Sequence, residues 1–103
     1  MIKDLGGKHS ETIKKLVKVL ISRGFREVDD ARVSAKKRIF KKKVQDRTHK
    51  WTITSTRVKR EVTYGHGWIP LVEGYLKDIR IDERTNKIGG LKRTPYHGYA
   101  IQD

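Results

Sequence analysis

The stretch RIFKKKVQDRTHKWTITSTRVKR, residues 38–60, decides the fold of this chain. Its residues alternate with a period of two, the spacing at which side chains of a β-strand share one face. The alternating sets of the first half are Phe40, Lys42 and Val44 on one side and Ile39, Lys41 and Lys43 on the other. After a polar loop at residues 45–49, Trp51 and Ile53 begin a second alternation. The stretch therefore predicts a β-hairpin with a basic face.

Positive charge is concentrated in the same stretch. Residues 36–60 contain eleven Lys and Arg residues and one acid, Asp46, which gives a net charge of +10. Residues 1–35 carry +3 and residues 61–103 are neutral, so the excess of +13 is mostly local. A basic patch of this strength favours a polyanionic partner, most often nucleic acid.

Cations at strand spacing can follow a phosphate backbone, and aromatic rings among them can stack on bases. The residues predicted to contact nucleic acid are Lys36, Lys37, Arg38, Lys41, Lys43, Arg47, Lys50, Arg57, Lys59 and Arg60, with Trp51 and Trp68 as stacking residues. The alternative is that the lysines only solvate the outer face of a sheet or protect its edge. Phe40 and Trp51 would then belong to the core.

Length and composition indicate one domain, residues 1–103, in which residues 1–8 form a flexible arm. The sequence has neither an apolar run of transmembrane length nor a signal-peptide core, so we expect a cytoplasmic protein with no membrane partner. Cysteine is absent, which excludes disulfides and thiolate metal sites. Scarce Asn and Gln beside abundant Lys, Arg and Glu suggest a heat-adapted source, or a virus or plasmid of one.

Residues 10–23 predict an amphipathic helix. Ser10 is the expected N-cap, and Gly24 stands where a left-handed C-cap is needed, with Phe25 folding back on the last turn. The predicted apolar stripe consists of Ile13, Leu16, Val17, Leu20 and Ile21.

The remaining chain predicts mainly strands. A short strand is expected at residues 25–29, and Gly65, His66 and Gly67 mark a turn. Residues 70–82 fit either a helix or a strand, and the polar turn that follows favours the strand; residues 96–101 could form a last strand. The expected fold is α+β, with one N-terminal amphipathic helix packed on a bent, mainly antiparallel sheet of five or six strands.

A small nuclease is the second hypothesis, using either His66 on its turn or the carboxylates of Glu11 and Asp30. Glu11 followed by the Gly24–Phe25 pair resembles the opening of restriction-endonuclease-like resolvases, although no strand with their acid-x-Lys pattern follows. The same opening before a basic hairpin is similar to small ribonuclease toxins with a double-stranded-RNA-binding-like fold. Their Gly-Ser-His catalytic segment is missing at residues 33–35.

The sequence thus favours non-enzymatic binding of DNA or RNA through the basic hairpin, with no cofactor, no catalytic residue and no metal site. A third hypothesis is a protein-interaction module, such as a viral or plasmid inhibitor that docks its basic face on an acidic protein partner. The sequence leaves open DNA against RNA, strandedness and oligomeric state.

Overall fold

The computed structural model describes residues 7–28 and 36–96. The elements are α1 (Ser10–Ser22), β1 (Arg26–Glu27), β2 (Arg38–Val44), β3 (Arg47–Ile53), β4 (Arg57–Thr63), β5 (Trp68–Tyr75), a single 3₁₀ turn (Leu76–Asp78), β6 (Arg80–Asp82), β7 (Lys87–Gly89) and β8 (Lys92–Arg93). Six of these strands form one sheet in the order β1-β2-β3-β4-β5-β8, and β6 and β7 form a separate two-stranded sheet. Every strand pair is antiparallel. The predicted α+β class, one N-terminal helix packed on a mainly antiparallel sheet of five or six strands, is confirmed, and the sheet has six strands.

Helix α1 ends as the sequence predicts. Gly24 adopts φ +93°, a conformation that costs glycine little. Its N–H donates to the Ile21 carbonyl and the Phe25 N–H donates to the Leu20 carbonyl, each at 3.0 Å. These two bonds form a Schellman motif. They turn the chain so that Phe25 is buried at the start of the sheet.

The start and the stripe of α1 differ in detail from the prediction. Ser10 is the first helical residue rather than the N-cap, and the cap position, His9, makes no side-chain capping bond. Val19 is buried, whereas Ile21 is 58% exposed. The predicted stripe is thus rotated, because α1 lies on the sheet through Ile13, Leu16 and Leu20 and leaves Ile21 beyond the contact.

The core lies between α1 and one face of the sheet, which we call the helix-side face. Phe40, Trp51, Ile53 and Val58 point from β2, β3 and β4 towards the helix and are at most 1% exposed. Cross-strand pairing explains this arrangement, because Phe40 faces Trp51 and Ile53 faces Val58 in the register. Side chains directly opposite each other on paired strands lie on the same face.

The basic hairpin forms, but its turn is shorter than predicted. Strand β3 already begins at Arg47, so only Gln45 and Asp46 connect it to β2. Gln45 takes φ +57°, which a two-residue hairpin turn requires of one of its residues. The expectation of a loop over residues 45–49 is therefore wrong, and His49 is a fully buried strand residue.

Later predictions are confirmed in part. Gly65 and Gly67 have positive φ in the turn between β4 and β5, and residues 70–82 start as strand, then form the 3₁₀ turn and β6. Tyr96 lies in a turn; the rest of the strand predicted at residues 96–101, the first six residues of the predicted arm, and Asp30 fall outside the described residues.

Candidate functional site

The face of the six-stranded sheet turned away from α1, which we call the open face, gathers most of the hairpin's charge. Lys41 faces Lys50, Lys50 faces Glu61, and Lys59 faces Glu73 across neighbouring strands. The charged residues of the open face are the cations Arg26, Lys41, Lys43, Lys50, Arg57, Lys59 and Lys92 and the carboxylates Glu61 and Glu73. Seven cations against two carboxylates leave this face strongly positive.

Lys50 occupies the centre of the open face. Its Nζ lies 4.0 Å from the centroid of the Trp68 ring, and the Nζ of Lys41 lies 5.6 Å from the same centroid. Glu61 Oε1 lies 3.6 Å from Lys50 Nζ and 3.8 Å from Lys59 Nζ. One indole and one carboxylate are therefore shared by three lysines.

Burial lowers the pKa of Lys50 from its ordinary value, because a partly desolvated ammonium loses hydration. Glu61 raises the pKa by attraction, while repulsion from Lys41 and then Lys59 lowers it. The Lys50 side chain is only 16% exposed, whereas that of Lys59 is 50% exposed. Lys50 is therefore less solvated than Lys59, although both ammonium groups contribute to the positive charge of the open face.

A cationic pocket of about 230 Å³ lies on the open face near the turn between β3 and β4. Its polar and charged lining consists of Lys37, Thr52, Thr54, Arg57, Lys59 and Glu73. The Thr54 hydroxyl accepts a hydrogen bond from the Arg57 N–H at 3.0 Å, which fixes this turn. Three cations and two hydroxyl groups around one carboxylate suit a phosphate-sized anion.

Ten of the twelve predicted contact residues lie on the two faces of the sheet, and the other two precede β2. Lys41, Lys43, Lys50, Arg57, Lys59 and Trp68 lie on the open face. Lys36 and Lys37 are exposed just before β2. Arg38, Arg47, Trp51 and Arg60 lie on the helix-side face.

The four residues on the helix-side face have structural surroundings. Trp51 is 1% exposed in the core, so its ring has no surface on which a base could stack. Arg38 is 7% exposed and donates twice to Glu27, at 2.9 and 2.7 Å. Arg60 Nη2 lies 3.0 Å from His49 Nδ1, and its guanidinium lies 5.6 Å from the Trp51 ring centroid. Arg47 is half-buried on the same side. The core alternative holds for Phe40 and Trp51, and these arginines do not belong to the exposed cationic surface.

The two described residues of the nuclease hypothesis, Glu11 and His66, lie on different elements. Glu11 is exposed on α1, 3.6 Å from Lys14, and His66 is exposed on the turn between β4 and β5. Within residues 7–28 and 36–96, no three His, Asp or Glu side chains are grouped as a metal site requires. Asp30 lies outside the described residues.

Sequence reasoning missed several residues around the site. Arg26 joins the open face because β1 pairs with β2 and brings it opposite Lys41. Pro70 and Tyr96 line one cleft together with Trp68. The guanidinium of Arg57 lies 5.2 Å from the ring centroid of Tyr75. The order of the strands carries this information, and it pairs segments that are distant in the sequence.

No protein-family model matches the chain, and no curated protein or solved structure is significantly similar to it. In the part of the chain that the structure describes, no helix is long and apolar enough to cross a membrane. Function must therefore be argued from the open face itself.

Proposed function

We propose that this protein binds nucleic acid through the open face of its sheet, without catalysis. One observation carries the proposal: seven cations from five strands of the sheet share a face with only two carboxylates. The residues proposed to neutralise phosphates are Lys37, Lys41, Lys43, Lys50, Arg57 and Lys59. Trp68 is the aromatic residue proposed to contact bases.

The contrast between the faces supports this choice of residues. On the helix-side face, Arg38 has a carboxylate partner, and Lys42 donates to the Arg23 carbonyl at 2.6 Å. On the open face, Lys41 and Lys43 are exposed. Cations that are held by the fold cannot release counterions to a polyanion, whereas exposed ones can.

The test measures affinity for single- and double-stranded DNA and RNA at 50 and 200 mM salt. About six phosphate contacts give a log-log salt slope near −5, which corresponds to about a thousandfold loss over this range. Replacing Lys41, Lys43 and Lys59 by Ala together should flatten the slope by about two to three units.

The matched control replaces Lys14, Lys15 and Lys18 by Ala, since these exposed lysines lie on α1, away from the open face. It removes the same charge and should leave the slope nearly unchanged. Equal losses in both triple variants would mean that net charge alone attracts the polyanion, and the open face would lose its role.

The same measurement is repeated with magnesium to test the nuclease alternative. Cleavage that disappears in His66→Ala, with folding intact, would favour a nuclease and overturn the non-enzymatic proposal. Salt-independent affinity, or no binding to any nucleic acid, would leave an acidic protein as the partner to be sought.

A further inference from the structure

Beside the lysine cluster of the open face lies an uncharged cleft of about 350 Å³. Its lining residues are Trp68, Ile69, Pro70 and Tyr96. Tyr96 is 52% exposed and Trp68 is half-buried, so both rings can be reached from solvent. The cleft therefore offers aromatic and apolar surface at the margin of a cationic one.

The chain holds this cleft together through Thr94, which follows β8. The Thr94 hydroxyl donates to the Pro70 carbonyl at 2.6 Å and accepts from the Tyr96 N–H at 3.2 Å. The Thr94 N–H donates to the Leu71 carbonyl at 3.0 Å. These bonds tie Tyr96 to the strand that carries Trp68, so the two aromatic walls are set by the backbone.

We propose that this cleft takes one unpaired base of a single-stranded nucleic acid, with the adjoining phosphates at Lys41 and Lys50. The inference rests on the proposed function and specifies its substrate. Lys41 and Lys50 both contact the Trp68 ring, at 5.6 and 4.0 Å from its centroid, so base and phosphate contacts converge on one residue. Stacking on aromatic rings combined with backbone charge is how proteins hold single strands.

The size and chemistry of the cleft favour an unpaired base. At about 350 Å³ it lies at the lower end of the ~300–1,000 Å³ typical of small-ligand sites, which suits one ring system. A base within a duplex could enter only by flipping out of its stack, at a cost of a few kcal/mol. None of the four residues that line the cleft is charged. The cleft therefore suits the base of a nucleotide better than its phosphate.

The test compares the parent with Trp68→Ala and Tyr96→Ala on oligo(dT), oligo(rU) and a duplex of equal length, at 50 and 200 mM salt. Each variant should bind the single strands about 5- to 100-fold more weakly. Duplex affinity should change by less than about twofold, and the salt slope should stay constant because no phosphate contact is lost. The two oligomers distinguish RNA from DNA.

Tyr64→Ala is the matched control, since Tyr64 is also an exposed tyrosine but lies in the turn between β4 and β5, outside the cleft. It should bind like the parent. Trp68→Phe keeps a ring and should recover most of the affinity if Trp68→Ala perturbs the fold. Single strands should quench the Trp68 fluorescence of the parent, and the quenching should vanish in Trp68→Phe, because the remaining Trp51 is buried.

Equal losses on single strands and duplex, or none on single strands, would refute the cleft as a base site while leaving salt-dependent binding to the lysines intact. A parent protein that binds no nucleic acid at either salt concentration would refute both this inference and the proposed function.

Discussion

The two faces of the six-stranded sheet are built from the same alternating strands, yet they use basic residues differently. On the helix-side face, Arg38 pairs with Glu27, and Arg60 lies against His49 and the Trp51 ring. On the open face, Lys41 and Lys43 point into solvent. The +10 charge of residues 36–60 therefore does not form one uniform binding surface, because some of the basic residues make structural contacts within the fold.

The comparison also separates the two tryptophans. Trp51 is 1% exposed and packs under α1, whereas Trp68 is half-buried on the open face beside Lys50. We interpret the first as a core residue and the second as a contact residue. Stability and binding measurements should therefore assign opposite roles to them.

The largest effect is expected from Trp51→Ala, which should lower the free energy of unfolding by about 3–5 kcal/mol because it leaves a cavity in the core. The matched variant Trp68→Ala should cost about 1 kcal/mol, since its ring is already partly solvated. Urea unfolding of both variants measures the difference. Similar losses in the two variants would show that Trp51 and Trp68 are buried to the same degree, which would contradict the assignment of Trp68 to an open face.

An intermediate effect is expected from Glu27→Gln. The neutral amide leaves the 7%-exposed Arg38 without its carboxylate, so we expect a loss of about 1–3 kcal/mol in unfolding free energy. Glu73→Gln is the control on the open face. Its pair with Arg57, at 3.9 Å, has both side chains more than half exposed, so the loss should be below about 0.5 kcal/mol. A larger loss in Glu73→Gln would contradict the solvated character of the open face.

Whether the sequence predicts the two faces of the sheet depends on where the turn between β2 and β3 is placed. Alternation separates Phe40 from Lys41 correctly, and the helix follows from its apolar spacing and from Gly24. The predicted loop at residues 45–49 is too long to give the correct strand register. The two-residue turn could not be recognised, because Gln45-Asp46 is neither Asn-Gly nor Asp-Gly, the pairs that mark such a turn. With the turn placed at Gln45 and Asp46, Phe40 pairs with Trp51, and the burial of Trp51 follows.

Other features were beyond single-sequence reasoning. Arg26 and Tyr96 reach the site only through the strand order β1-β2 and β5-β8, which pairs segments far apart in the chain. The exposure of Ile21 depends on how α1 lies on the sheet, which its own periodicity does not define. Local pattern thus predicted the elements, and the packing between them determined which cations remain on the surface.

The smallest effect is expected at the centre of the open face, where Glu61 offsets the charge of Lys50 and Lys59 at 3.6 and 3.8 Å. Glu61→Gln removes one negative charge from the proposed phosphate path. Affinity for nucleic acid should rise about 2- to 5-fold at 50 mM salt, since a unit charge at this range in water contributes up to about 1 kcal/mol. The gain should fade at higher salt as screening shortens to a few ångströms.

The pH dependence sharpens this last prediction. Glu61 raises the pKa of Lys50 against the effect of burial, so its removal lowers that pKa further. At pH 6 Lys50 keeps its proton in both proteins and the full gain should appear. At pH 9 the variant loses more of the Lys50 charge than the parent, and the gain should shrink. Glu11→Gln, the same change on the exposed side of α1, should leave affinity unaltered at both pH values. Equal gains in the two variants would show that the polyanion responds to net charge rather than to the open face.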